Sequence, residues 1–158
     1  MESTADSRPV FYLDDLRVGQ KFETGTYLME GARIKAFAAE FDPQPFHLDE
    51  DAAKESVFGG LAASGWHTAA ATMRMIVDGK FKLAGGSVGL GGEIVWPRPT
   101  RAGDTLRVHT EIVEIAPSRS KPNQGIVKIR NTTVNQHGEE VQVFIAKLMV
   151  FKRPNTNA

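Results

Sequence analysis

A chain of 158 residues, with 41% hydrophobic and 24% charged side chains, has the composition of one globular domain with a substantial core. Because 19 basic residues balance 19 acidic ones, overall charge gives no reason to expect nucleic acid as a partner. The absence of cysteine excludes disulfides and thiolate metal sites and is compatible with the cytoplasm, where we expect the protein to act. No apolar run approaches the ~20 residues of a membrane span, so no membrane association is expected.

The first part of the chain predicts an arm, a strand and two helices. Residues 1–10 are expected to form a loose arm, and Lys21–Leu28 alternates as a strand does. Apolar side chains that recur at i, i+3, i+4 and i+7 predict a helix over Gly31–Phe41. Asp49 is a suitable N-cap for a short helix that continues to Glu55.

A longer helix is predicted between Ser64, a good N-cap residue, and Gly79, a typical stop. It spans Gly65 to about Asp78, and its small side chains suit burial against a sheet. Helical spacing places six apolar side chains on one face, which we expect to be the buried face: Trp66, Ala69, Ala70, Met73, Ile76 and Val77.

Four segments rich in Val, Ile and Thr follow this helix and predict strands, at residues 87–96, 105–116, 125–135 and 140–152. The last segment is apolar on both faces, so it is expected inside the sheet. A strand, a helix, a long buried helix and then four strands form the element order of an α+β fold. We expect one domain over residues 1–158.

A stiff turn, Asp42-Pro43-Gln44-Pro45-Phe46-His47, separates the two main helices. Each proline fixes its own φ and disfavours the α region for the preceding residue, so we expect the chain to become extended here. Asp42 and His47 are therefore held on a short, rigid loop, as two groups that share one proton-transfer task require. Taken singly, each has a structural reading, as a loop-capping aspartate and a hydrogen-bonded loop histidine.

Together with the segments downstream, this turn resembles the signature of the MaoC-like, R-specific enoyl-CoA hydratases of the hot-dog superfamily. The family pattern is Asp-x-Asn-Pro-apolar-His, then an Asp-rich helix, Phe-Gly, and a small-residue-Gly step into a central helix. The matching segments span the proline turn and the start of the predicted long helix: residues 42–47, Leu48-Asp49, Phe58-Gly59-Gly60 and Ala63-Ser64-Gly65-Trp66. The turn at residues 99–106 also resembles one common in the family. Gln44 replaces the family's asparagine, and Thr68 and Thr72 lie where a serine is frequent.

The resemblance implies a hot-dog fold, in which an antiparallel sheet wraps around one long central helix. It also implies a homodimer or a larger homo-oligomer of dimers, with an acyl-CoA thioester bound in a tunnel near the dimer interface. Asp42 and His47 would hold the reacting water, and the Gly65 N–H would bind the thioester carbonyl. The expected substrate contacts lie beside these groups: Gln44, Phe46, Ser64, Trp66 and His67. A structural role is an equal alternative for His67.

The chemistry of these residues agrees with that implication. An imidazole with an ordinary pKa near ~6.5 can accept or donate a proton close to neutrality, and a carboxylate beside it completes the proton inventory. A helix N-terminus supplies unpaired N–H groups for a developing oxyanion, and glycine permits close approach. The joint occurrence of Asp42, His47 and Gly65 predicts reversible hydration of a trans-2-enoyl-CoA to an (R)-3-hydroxyacyl-CoA. Which of the first two residues is base and which is acid stays open.

Two other functions remain open for the same residues. A hot-dog thioesterase would direct water at the thioester carbonyl and release free CoA, whereas a non-catalytic acyl-CoA-binding protein would bind without turnover. No cofactor is expected, and the four histidines do not cluster as metal ligands do. Four cations in predicted turns are either contacts for CoA phosphates or solvated charges: Arg98, Arg101, Arg119 and Lys121.

Overall fold

The protein is described by a computed structural model over residues 5–155. A short 3₁₀ turn, Leu13–Asp15, precedes the main elements. These are, in chain order, β1 Lys21–Leu28, α1 Gly31–Phe41, α2 Pro45–Leu48, α3 Glu50–Lys54, α4 Gly65–Asp78, β2 Val88–Val95, β3 Thr105–Pro117, β4 Gln124–Val134 and β5 Glu140–Phe151. Within residues 5–155 no helix has both the length and the hydropathy that crossing a bilayer requires.

The five strands form one antiparallel sheet with the order β1-β3-β4-β5-β2. β5 lies between β4 and β2, which confirms the prediction that the last strand is internal. β2 follows α4 directly in the chain and forms an edge of the sheet, where it pairs with β5 alone. The arrangement confirms the predicted α+β class, and within residues 5–155 β1 and β2 are the two edges of the sheet.

The core lies between α4 and one face of this sheet. Burial alternates along β3 and β4, because successive side chains of a strand point to opposite faces. The inward side chains of β3 include Leu106, Val108 and Ile112, each fully buried. The outward positions carry ion pairs such as Arg130–Glu111, so the second face of the sheet is polar.

The face of α4 that meets the sheet is not the one that the apolar spacing predicts. Of the six predicted residues only Ile76 is buried, whereas Trp66, Met73 and Val77 are 60%, 48% and 53% exposed. Half of the residues on the buried face are polar: His67, Thr68 and Thr72 lie there beside Ala71, Met75 and Ile76.

Hydroxyl groups can be buried on this face because each finds a partner. Thr68 Oγ1 lies 3.0 Å from Thr100 Oγ1, and Thr72 Oγ1 lies 2.7 Å from Thr133 Oγ1. Gln142, which is fully buried, donates from its Nε2 to the Thr72 hydroxyl at 3.2 Å. These pairs join residues that are far apart in sequence, so the helical periodicity of α4 alone carries no sign of them.

The predicted loose arm is docked along its described part. Arg8 donates from Nη1 to the carbonyls of Val77 and Gly79, at 2.7 and 2.8 Å, at the end of α4. The last carbonyls of a helix lack intrahelical donors and lie at the negative end of its dipole, which favours a guanidinium there. Phe11 then forms a parallel bridge with Leu83. Residues 1–4 lie outside the described part of the chain.

Candidate active site

Asp42 and His47 are brought together by a tight turn between α1 and α4. Asp42 caps the end of α1 through its backbone N–H, which donates to the Ala38 carbonyl. The extended loop predicted after it lasts only to Gln44, because Pro45 starts the single helical turn α2 at a position where a missing N–H costs nothing. As a result His47 Nε2 lies 3.2 Å from Asp42 Oδ2, and the imidazole is buried.

The hydrogen bond of the second ring nitrogen, Nδ1, determines the tautomer of the neutral His47 ring. Nδ1 lies 2.6 Å from the carbonyl oxygen of Ala62, and because a carbonyl only accepts hydrogen bonds, Nδ1 carries the hydrogen. In neutral His47 the Nε2 atom is then an acceptor and faces the carboxylate of Asp42, which also only accepts. Two acceptors at this distance need a hydrogen between them, supplied by a shared proton or by a water that donates to both.

Asp42 is poised in its charged form. Burial opposes ionisation, but hydrogen bonding from Gln44 and the Ser64 hydroxyl, together with His47, outweighs it, so the pKa of Asp42 lies below its ordinary value. The Gln44 amide donates to Asp42 Oδ1 at 2.5 Å and leaves Oδ2 to face His47. At neutral pH the carboxylate is therefore an acceptor on the side where the imidazole lies.

The N-terminus of α4 completes the constellation. Ser64 is the N-cap, and its side chain accepts from the Trp66 N–H at 3.3 Å. The Gly65 N–H has no acceptor within residues 5–155 and lies at the positive end of the helix dipole. Only glycine fits here, since a Cβ would lie 2.6 Å from a ring carbon of Trp96. This arrangement leaves one backbone donor free for an anionic oxygen.

These groups share one cavity of about 680 Å³, a size usual for small-molecule sites. Asp42, His47 and Gly65 line it, as do three of the predicted substrate contacts, Gln44, Phe46 and Trp66. The remaining lining residues come mostly from the segment before α4 and the connection between β2 and β3: Val57, Phe58, Ala63, Thr68, Trp96, Pro97, Arg98, Pro99, Thr100 and Arg101.

Two predicted substrate contacts lie outside this lining. Ser64 is fully buried behind it, at the cap of α4. His67 stacks on Phe37 of α1, with ring centroids 4.6 Å apart and an interplanar angle of 6°. Successive residues of an α-helix are turned by about 100° around its axis, which places His67 opposite the side on which Gly65, Trp66 and Thr68 meet the cavity. The position of His67 fits the structural alternative.

Comparison with known proteins places this geometry in a family. The sequence model of the family described as "MaoC like domain" matches residues 15–135. The chain belongs to the MaoC-like domain family. An uncharacterized protein of Bacillus subtilis strain 168, YdeM, is 33% identical over 141 residues, which cover 87% of this chain and 96% of that protein.

Solved structures agree with the assignment of this MaoC-like domain. A MaoC-like dehydratase from Rhodospirillum rubrum is 55% identical and superimposes with a TM-score of 0.90, covering 92% of this chain and 99% of that one. The R-hydratase PhaJ1 from Pseudomonas aeruginosa, in its unliganded form, is 29% identical with a TM-score of 0.70, covering 90% and 86%. The predicted hot-dog fold is thereby confirmed.

The connection between β2 and β3 contributes more of the MaoC-like cavity than the sequence motifs indicate. Arg98 forms an ion pair with Glu139 at 3.3 Å, and Arg101 donates to backbone carbonyls of the segment before α4. Arg119 and Lys121 are absent from the lining. The two prolines within residues 97–99 indicate a rigid turn. No local sequence signal shows that this turn faces His47.

The acid sensitivity of the fold is predicted to depend on His67. Burial and the neighbouring Arg33 lower the pKa of this imidazole in the folded chain. Near pH ~6.5 the imidazole of the unfolded chain therefore binds a proton, whereas that of the folded chain stays neutral. Stability is therefore retained above about pH 6.5 and lost as the pH falls, by up to ~1.4 kcal/mol per pH unit from this group. His67→Phe keeps a ring against Phe37 without a titrating nitrogen. Urea unfolding at a series of pH values should show a shallower slope for this variant.

His137, exposed in the turn between β4 and β5, provides the control, and His137→Gln should keep the wild-type slope. Equal slopes for His67→Phe and the wild type would show that His67 does not carry the effect.

Proposed function

We propose that this MaoC-like domain catalyses the reversible addition of water to a trans-2-enoyl-CoA, giving an (R)-3-hydroxyacyl-CoA. The observation that carries the proposal is the meeting of the Asp42 carboxylate, the His47 imidazole and the free Gly65 N–H in one cavity. The names of two relatives support it, since one is a MaoC-like dehydratase and the other an R-hydratase. Family membership and these relatives support hydratase or dehydratase chemistry in general, and the acyl-CoA substrate is our inference.

The reaction needs three things from the protein. Water must lose a proton as its oxygen bonds to C3, C2 must gain a proton, and negative charge on the thioester oxygen must be stabilised while C2 is still unprotonated. When His47 is neutral, its Nε2 and the Asp42 carboxylate are two acceptors 3.2 Å apart, which suits one water that donates both its hydrogens. The Gly65 N–H provides the donor for the thioester oxygen.

In this arrangement water is the source of both groups that add to the double bond, the hydroxyl group on C3 and the hydrogen on C2. In the proposed mechanism His47 is neutral, with its hydrogen on Nδ1 and Nε2 free to accept, beside the charged carboxylate of Asp42. Water then gives a proton to one of them as the C3–O bond forms, and the same pair returns a proton to C2. Our assignment is that His47 Nε2 takes the proton of the water as the C3–O bond forms and passes it across the 3.2 Å contact to Asp42 Oδ2, which gives it to C2. Because the hydroxyl group and the hydrogen both come from the side on which Asp42 and His47 lie, we expect them to add to a single face of the double bond.

Removal of either acceptor should reduce turnover strongly. We expect Asp42→Asn and His47→Gln each to lower kcat by about 10²–10⁴-fold, the usual contribution of general acid–base catalysis. The double variant should be little worse than the worse single variant, because both groups act on one water. Loss of the conjugated enone absorbance, followed with a series of trans-2-enoyl-CoA thioesters of increasing chain length, measures the rate.

His109→Gln, which changes an exposed histidine on β3, is the matched control and should keep wild-type turnover. Thermal midpoints within a few degrees of the wild type would show that the site variants are folded. Full activity in both single variants would contradict the assignment. Release of free CoA without a hydroxyacyl product would instead identify a thioesterase, and binding without turnover a non-catalytic acyl-CoA-binding protein.

We propose further that two copies of the chain associate through α4 and β2. The outer face of α4 exposes Met73 and Val77, and the edge strand β2 exposes Leu90 at 54% and has unpaired backbone groups along one side. Exposed apolar surface next to a free strand edge is a usual place for association. A second copy would cover this face beside the cavity, where Trp66 and Trp96 already pack edge to face.

The double variant Met73→Glu/Val77→Lys should therefore be monomeric, because it would bury charges in the proposed interface. Light scattering at working concentration measures the mass, and the wild type should be at least dimeric. Val18→Lys alters another exposed valine, at 64%, far along the chain from α4 and β2, and should leave the mass unchanged. A monomeric wild type would rule out the association.

A further inference from the structure

Arg101 lies in the wall of the cavity, yet its guanidinium is bonded to the backbone of the chain itself. Nη1 donates to the carbonyl of Gly60 at 2.9 Å and approaches that of Leu61 at 3.4 Å. Nη2 donates to the carbonyl of Phe58. Within residues 5–155 no carboxylate forms an ion pair with this guanidinium. Its N–H donors thus bind one short stretch of chain, and few of them are left to bind a phosphate group.

The stretch that Arg101 holds is one that lacks regular structure. Residues 55–61 connect α3 to the segment before α4, and they include adjacent glycines at 59 and 60. Gly59 has a φ of +63°, which few other residues adopt readily, and Val57 is 94% exposed. Fixing such a stretch costs considerable conformational entropy. The guanidinium of Arg101 offsets part of that entropy cost through its hydrogen bonds to three carbonyl groups.

The next residue in the chain carries the acceptor for His47. Ala62 forms an antiparallel bridge with Arg101 and places its carbonyl 2.6 Å from Nδ1 of the imidazole. The Ala62 backbone is also held by its own N–H, which donates to the Phe46 carbonyl at 3.1 Å, and by the Ala63 N–H, which donates to the Thr100 carbonyl at 2.8 Å. A shift of the preceding stretch would strain these bonds and displace the Ala62 carbonyl from the imidazole. Without it the Nδ1–H would lose its buried acceptor, and the ring would gain most by placing its hydrogen on Nε2, which faces Asp42.

Arg101 itself starts from a fixed backbone. Its N–H donates to Oδ2 of Asp104 at 2.8 Å, and Oδ1 of that buried carboxylate accepts from Gln136 Nε2 at 3.1 Å. A guanidinium holds several acceptors with a rigid planar fork, whereas a lysine has one compact charged group on a flexible stem. The geometry therefore requires arginine at this position and not a cation in general.

We propose that Arg101 is a positioning residue for the hydration reaction. It holds the carbonyls of Phe58, Gly60 and Leu61, so that the Ala62 carbonyl keeps the hydrogen of His47 on Nδ1 and leaves Nε2 free to accept the proton of water. The role in turnover rests on the proposed function, whereas the effect on the His47 ring does not.

Nitrogen NMR of the imidazole tests the effect on the ring without any substrate. In wild-type protein labelled with ¹⁵N in histidine, neutral His47 should carry its hydrogen on Nδ1, with the signals assigned by their loss in His47→Gln. In Arg101→Ala this preference should weaken, so that the two ring nitrogens show shifts averaged between tautomers. Should Arg101→Ala fail to fold, Arg101→Lys takes its place. A wild-type ring with its hydrogen on Nε2, or unchanged shifts in the folded variant, would overturn the proposal.

Kinetics form the second arm of the experiment. A misplaced reacting group should lower kcat by about 10–100-fold in Arg101→Ala, and added guanidinium should restore part of it. Since Arg101 is not assigned a contact with substrate, KM should change by less than about threefold. A loss confined to KM, with wild-type kcat, would contradict the positioning role. Lack of hydration by the wild type would instead refute the proposed function, and the NMR result would still decide the effect on His47.

Arg8→Ala is the matched control. Arg8 also donates to main-chain carbonyls, of Val77 and Gly79, but it does so at the far end of α4 from Gly65. Its removal should cost stability of the same order without altering the His47 nitrogen shifts or kcat. Equal changes in the Arg8 and Arg101 variants would show that general loosening of the fold is responsible and would overturn the proposal.

Discussion

The hydrogen bond from His47 Nδ1 to the carbonyl of Ala62 is the contact on which the rest of the site depends. It joins two buried groups over 2.6 Å and assigns the ring hydrogen to the side away from Asp42. In the neutral ring, Nε2 and the ionised carboxylate then form a pair of acceptors that a single water can satisfy. The pairing of Ala62 with Arg101 and the carbonyls held by that arginine's guanidinium all bear on the position of this one acceptor. A small motif thus needs support from the connection between β2 and β3.

The orientation of α4 is fixed by directional contacts and not by hydrophobic matching alone. Its buried face bears hydroxyl groups that are paired with Thr100, Thr133 and Gln142, and these bonds have geometric requirements that apolar contacts lack. The helix is therefore held in one rotation, with the Gly65 N–H at the cavity. The same rotation turns Met73 and Val77 outward, which leaves the apolar surface that the proposed second copy would cover. The hydrogen bonds on the buried face of α4 and the exposure of apolar side chains on its outer face both follow from this one orientation of the helix.

Local signals account for what the sequence predicted well. The bounds of β1, α1 and α4 coincide with the predicted ones, and the later strands differ by one or two residues, because caps, prolines and β-branched residues act within a few positions. The proline turn also indicated the pairing of Asp42 with His47. What the sequence could not show depends on contacts across long separations. The hydroxyl groups on the buried face of α4 bond to partners 32 to 70 residues away. Arg8 bonds to the end of a helix 69 residues away, and Arg101 bonds to carbonyls about 40 residues away.

The central claim is that one water, held between Asp42 and His47, supplies both the hydroxyl group and the hydrogen that add to the double bond. Hydration of trans-2-butenoyl-CoA in D₂O, followed by NMR analysis of the product, tests it most directly. The account predicts an (R)-3-hydroxybutanoyl-CoA with a single deuterium at C2, on the same face as the new hydroxyl group. Deuterium on both faces of C2, addition to opposite faces, or release of free CoA in place of the hydroxyacyl product would contradict it.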